Sequence, residues 1–271
     1  MPNLPTPTAW RPNLIPALIL ALALTACSGL ETDPTQDWSA QRFYQEAKTA
    51  LAAKDYATAI KHFETLEARY PYGPYADQAQ LEIAYAYYKD NDLASAIAAA
   101  NRFIRLHPTH PHVDYAYYLK GLAYFDDDRN WFERLFTGGD LSNRDPKGMR
   151  DAYDSFRELV DRFPDSRYAA DSRRRMAYLV DYLARHEIHV ARFYYSRRAY
   201  VAAVNRAQYV IANYQRTPAV EDALGLQAMA YGKLGMDDLM QDSLRVLEKN
   251  FPGSRYLADL RPRQTPESET P

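Results

Sequence analysis

The stretch DYATAIKHFETLEARYP, Asp55 to Pro71, returns in altered form as NDLASAIAAANRFIRLHP ending at Pro108, MRDAYDSFRELVDRFP ending at Pro164 and DLMQDSLRVLEKNFP ending at Pro252. Ala59, Ala96 and Ala152 share one position, Ile60, Ile97 and Tyr153 the next, and Phe63, Ala100, Phe156 and Leu244 a third. A further copy, YVAAVNRAQYVIANYQ from Tyr200, keeps Tyr200, Ala203, Val204 and Tyr214 in register but carries Gln215 where the others have proline. Proline cannot continue a helix, and a Ser or Gly two residues on suits the start of the next one.

Upstream of each block stands a small residue, at Ala47, Ala84, Gly121, Ala177 and Ala228. Three residues later Tyr87, Tyr124 and Tyr231 align, with Ala50 and Val180 departing. Small residues let paired helices approach closely, and large ones fill the gaps that remain. The pattern resembles the tetratricopeptide repeat, in steps of 37 residues from Ala47 to Ala84 to Gly121. After the prolines a second motif recurs in PYGPYA, PDSRYAAD and PGSRYLAD, with Tyr75, Tyr168 and Tyr256 four residues on and His112 in that place in PTHPHVDYA. The expected fold is all-α, an α-solenoid of about five tetratricopeptide-like helix pairs ending in a short capping piece.

Two spacings break the period. Between Pro108 and Pro164 lie 19 extra residues, placed within DDDRNWFERLFTGGDLSNRDPKG, whose Gly138, Gly139, Pro146 and Gly148 mark an insertion loop or lid over 126–148. Between Pro164 and Tyr200 lie 14 extra residues without Gly or Pro, about four helical turns, which predicts one extended helix from Ser166 to Ala199. That helix holds RRRMAYLVDYLARHEIHVARFYYSRR, Arg173 to Arg198, with seven arginines against two acids. Residues 167–216 carry ten Arg and three acids, and residues 28–100 six basic and eleven acidic groups, within a chain of net charge −2. Such separation suggests two surfaces that dock different things, against the plainer reading of a solvated helix face.

The chain ends differ from this body. Arg11 precedes the apolar run LIPALILALAL, too short to cross a bilayer comfortably, and residues 1–26 read as an export signal. Leu24-Thr25-Ala26-Cys27 resembles the bacterial lipobox, which makes Cys27 the lipid attachment point and 27–37 a polar tether. Cys27 is the sole cysteine of the 271 residues, so no internal disulfide supports the fold. Residues 38–125 and 149–260 are read as amino- and carboxy-terminal repeats, and 261–271 as a disordered tail.

No catalytic constellation stands out. The histidines of HPTHPH are separated by prolines with no cysteine near, His186 and His189 do not complete HExxH, and Asp126 to Asp128 lack the alternation of a calcium loop. The reading is a non-enzyme without metal or cofactor. Nucleic acid is excluded as a partner because the exported chain has no overall basic excess and no recognised binding module.

The lipobox, the P-x-S-x-Y junctions, an insertion ending in Asn143-Arg144-Asp145-Pro146, and FYYSRRAYVAAVNR from Phe193 together resemble the BamD family, the lipoproteins of the β-barrel assembly machinery. The resemblance implies a Gram-negative periplasm and a lipid anchor in the outer membrane. It also implies a complex with BamA and other assembly lipoproteins, and amino-terminal repeats that receive segments of unfolded outer membrane proteins. Arg197, Asn205 and Arg206 match the family motif beside the BamA contact, and Arg198 stands where some members have glycine. Arg144 and Asp145 would mark the insertion, while Tyr75, Tyr85, Tyr88 and Tyr117 would supply an amphipathic peptide groove. Two other readings stay open: a different periplasmic repeat lipoprotein that coordinates envelope constriction or peptidoglycan synthesis, and an envelope enzyme with its site in the insertion.

Overall fold

The computed structural model describes residues 33–136 and 146–260. Of the described residues, 33–39 belong to one unit and those from Ala40 to Leu260 to a second. The described part of the first is a turn in which the Asp33 carboxylate accepts from the backbone N–H and the hydroxyl of Thr35. Cys27, Arg144, Asp145 and the tail lie outside the described residues.

Every regular element among the described residues of the second unit is a helix. Its elements are α1 (Ala40–Ala52), α2 (Tyr56–Arg69), α3 (Pro74–Lys89), α4 (Leu93–Leu106), α5 (Val113–Phe136), α6 (Lys147–Arg162), α7 (Ala169–Ser196), α8 (Tyr200–Asn213), α9 (Ala219–Leu234), α10 (Asp237–Asn250) and α11 (Arg255–Leu260). Each helix packs on the next as far as α10, and α3 also touches α1 and α5, as α9 touches α7. This is a stack of five helix pairs, with α11 against α9 and α10 at the end.

The repeat is visible in hydrogen bonds as well as in burial. Leu66, Phe103, Leu159, Val210 and Leu247 occupy one register position on the second helix of each pair and are fully buried. Their carbonyls accept the N–H groups of Tyr70, His107, Phe163, Tyr214 and Phe251 at 2.7–2.8 Å, where each helix stops. Four of these terminators precede a proline, which disfavours helical ψ in the residue before it. Tyr214 precedes Gln215 and stops the same way, with Thr217 donating through N–H and hydroxyl to its carbonyl.

The turns inside the pairs repeat too. Lys54, Asn91, Arg198 and Gly235 all have φ between 61° and 69°. The next N–H, from Asp55, Asp92, Ala199 or Met236, reaches back to the carbonyl of Ala50, Tyr87, Tyr194 or Tyr231. This is the left-handed helix ending in which the backbone closes on its own last carbonyls. Asp55 and Asp92 then cap α2 and α4 by accepting from Thr58 and Ser95.

Two expectations are corrected. The small-residue position in α7 belongs to Ala191, fully buried and 37 residues before Ala228, whereas Ala177 is exposed. Counting from Pro164 misplaced it because the extra turns precede the repeat register rather than follow it. The insertion is also not a loop from its start. Helix α5 continues to Phe136 because the first break, Gly138-Gly139, comes only after DDDRNWFERLF. The extended helix is observed as 28 residues, about 42 Å at 1.5 Å per residue.

Close approach leaves no room for a side chain at Gly121, where a Cβ would lie 2.6 Å from the Phe156 ring, or at Gly225, where it would lie 2.2 Å from the Tyr256 ring. Gly121→Ala is expected to destabilise the fold by about 1–3 kcal/mol through this overpacking. Adding Phe156→Leu should recover part of the loss relative to Phe156→Leu alone, measured as non-additivity in urea unfolding.

Candidate functional site

Helix α3 starts at Pro74, pre-set for a first helical turn, and turns Asp77, Gln78, Leu81, Glu82 and Tyr85 onto one face. The loop His110-Pro111-His112, Tyr115 of α5, and Arg167-Tyr168 ahead of α7 complete a groove of about 520 Å³ against that face. The walls are aromatic and aliphatic and the rims carry both signs of charge. Lys48 pairs with Glu82 at 2.7 Å, and the Arg167 guanidinium lies 4.9 Å from the Tyr168 ring centre. Burial, reinforced by the neighbouring His112, pushes the His110 imidazole below its ordinary range.

The Tyr168 wall is braced from beneath. Its ring stacks on Tyr118 at 4.7 Å and 18°, and the Tyr118 hydroxyl donates to Asp171 at 2.8 Å. Arg175 and Arg174 donate to the same carboxylate at 2.6 and 2.9 Å. Burial works to raise the Asp171 pKa, but these three hydrogen bonds outweigh it and hold the group well below the usual carboxylate range.

Of the four tyrosines expected to form a peptide groove, Tyr85 lines it. Tyr75 packs on Tyr44 with ring centres 5.6 Å apart, and the Tyr88 hydroxyl donates to Asp126. Tyr117 is 2% exposed with its hydroxyl accepting from Arg162, so it belongs to the core and offers no surface to a ligand. Sequence reasoning missed Tyr115 and Arg167 as lining residues. The signal lay in the junction motif, since His112 and Tyr168, which share the Tyr75 position, both reach the groove.

The second candidate surface is the turn between α7 and α8. Arg197 and Arg198 are exposed there, Arg197 over the Phe193 ring at 5.3 Å, and Val201 beside them is 58% exposed. Asn205 is exposed one helical turn further along α8. Arg206 is occupied differently: it donates at 3.0 Å to Glu187, a carboxylate 3% exposed, which Arg150 also approaches at 3.8 Å. Arg206 therefore ties α8 to α7, with Arg150 of α6 near the same charge.

Among the described residues no group of three or more His, Cys, Asp or Glu is placed to hold a metal, and no helix is long and apolar enough to cross a membrane. A stack of helix pairs with a groove between adjacent repeats and an exposed basic turn defines a helical-repeat protein of the α-solenoid class. The YfiO family model, described as outer membrane lipoprotein, matches residues 36–247, and the chain belongs to that family. Outer membrane protein assembly factor BamD of Neisseria meningitidis serogroup A is 49% identical over 243 residues, 88% of this chain and 91% of its own. The Vibrio cholerae protein of the same name is 39% identical over 232 residues, 86% and 96% of the two chains. Among solved structures, a thermophilic TPR protein of Thermus thermophilus aligns at TM-score 0.36 and 13% identity over 82% of this chain and 96% of its own.

Arg198 holds a left-handed backbone at φ 61° despite carrying a Cβ, which that conformation crowds. Arg198→Gly is expected to stabilise the fold by roughly 0.5–1 kcal/mol, read as a higher urea midpoint at unchanged slope. Acid should act through Asp171: because its folded pKa is depressed, its contribution is present above about pH 4 and is lost as pH falls through the folded value. The melting temperature of Asp171→Asn should therefore fall less between about pH 4 and pH 2 than that of the unaltered chain.

Proposed function

We propose that this protein is a non-enzymatic scaffold of outer membrane β-barrel assembly. The reading is carried by the 49% identity to an outer membrane protein assembly factor across 88% of the chain. The helix-pair stack supports it, because such stacks present extended binding surfaces without needing reactive groups.

Within that role, the groove between α3, α5 and α7 receives extended segments of unfolded outer membrane proteins. Tyr85, Tyr115 and Tyr168 give amphipathic faces for aromatic side chains, and Arg167 and Glu82 give polar anchors at the rims. The turn from Arg197 to Val201, with Asn205, binds BamA, using Arg197 for charge-assisted hydrogen bonds to carboxylates. Arg206 contributes by keeping α7 and α8 in register through Glu187. Cys27 carries the acyl anchor that holds the scaffold at the periplasmic face of the outer membrane, beside the other assembly lipoproteins.

Affinity capture of the full-length lipoprotein from gently solubilised outer membranes should recover BamA. Arg197→Glu should weaken that association by roughly 1–2 kcal/mol, more at low salt than at physiological salt, since it removes one attraction and adds a repulsion. Recovery without BamA, or unchanged affinity of Arg197→Glu at both salt concentrations, would reject the assignment. Arg206 is the wrong residue for this test, because its loss strands a buried carboxylate.

A further inference from the structure

The extra turns of α7 leave a cleft that neither assigned surface uses. Helix α6 packs on the first half of α7, where Met149, Ala152 and Phe156 meet Leu179, Tyr182 and Leu183. Helices α8 and α9 pack on the second half, around Ala184, Ile188 and Ala191. Helices α6 and α8 therefore stand apart, and an opening of about 410 Å³ lies between them over Val180 and Leu183. Its walls are Arg150, Tyr153, Asp154 and Arg157 on α6 and Tyr209, Asn213 and Tyr214 at the end of α8.

The opening has an apolar floor with three tyrosines and two arginines, residue types enriched where proteins bind one another, beside Asp154 and Asn213. Tyr209 is 46% exposed although its ring already meets Tyr214 at 5.9 Å. The charges around it do not cancel. Arg157 faces Asp154 across 3.0 Å of exposed surface, whereas Arg150 shares the buried Glu187 with the nearer Arg206. Three guanidinium groups, Arg150, Arg157 and Arg206, thus face two carboxylates, Asp154 and Glu187.

We propose that this cleft docks an extended acidic segment of a partner protein. One apolar side chain of that segment would rest on Val180 and Leu183, with flanking carboxylates against Arg150 and Arg157. Arginine is suited to this because it holds a carboxylate through two parallel hydrogen bonds. The proposal is independent of the BamA reading, which concerns the α7–α8 turn.

A photo-crosslinking amino acid, p-benzoylphenylalanine, placed at Tyr209 of the full-length lipoprotein in native outer membranes tests it, with a second probe at Val201 reporting on the turn. The Tyr209 probe should join a partner segment in which acidic residues outnumber basic ones. Arg157→Glu, at an exposed head group, should lower that yield at least about five-fold while leaving the Val201 adduct unchanged. No protein adduct at Tyr209, an adduct to lipid or to a basic segment, or a yield indifferent to Arg157→Glu would overturn the proposal. Loss of the Val201 adduct alone would count against the BamA reading and leave the cleft standing.

Discussion

The contact on which the stack depends is the one between small residues of the first helix in each pair and whatever its partner helix supplies. Ala47, Ala84, Ala191 and Ala228 are fully buried, and Gly121 takes the same position in α5. Facing register positions hold Phe63, Ala100, Ala207, Leu244 and Phe156 in the corresponding pairs. The volumes are complementary where they are most extreme. Phe156 occupies the space that any side chain on residue 121 would need. Where both positions are alanine, neighbouring groups fill in: Leu119, Tyr85 and Tyr88 beside Ala84 and Ala100, and Val210 and Leu226 beside Ala191 and Ala207. Packing density is thus maintained by exchange among positions rather than by identity at each one.

The long helix is the element that converts a uniform stack into two halves. Its first turn follows the register of the others, burying Ala169 and Ser172 where α3 buries Ala76 and Ala79. The register is then lost, Ala177 is exposed, and it returns with Ala191. The interval has to be stabilised without a repeat partner. Glu187 does this by sitting buried between Arg150 and Arg206, so that one carboxylate joins α6, α7 and α8. Such an arrangement is costly when broken and fixes geometry while intact. Arg206 is thereby engaged within the fold, tying α8 to α7.

Much of the fold was legible because the repeat is written in residues whose chemistry is unambiguous. Prolines at 71, 108, 164 and 252 stop helices for a steric reason, and alanines at 59, 96, 152 and 203 are buried for a packing reason. Asn91 and Gly235 also announced the left-handed turn, and aligning them with Arg198 would have shown that Arg198 sits at a backbone position before it serves as a charge. The misplacement of Ala177 has a definite origin, since a spacing count cannot say on which side of an insertion the register resumes. Tyr117 was misread as groove-lining for a related reason. Tyrosine is amphipathic, and whether its ring faces the core or the groove depends on the hydroxyl partner, here Arg162 from 45 residues away.

The candidate sites sit where the repeat is least regular, and this follows from the packing. A register position that closes on its neighbours has no surface left to offer. The groove opens at junction residues 110–112 and 167–168, where loop sequences differ between copies. The basic turn occupies a position that is lysine, asparagine or glycine elsewhere in the stack. The 410 Å³ cleft exists because 14 residues were added to one helix and not to the helices that flank it. Divergence among otherwise equivalent repeats therefore gives each part of the scaffold its own chemistry, while the shared alanines and prolines hold those parts at fixed separations along the stack.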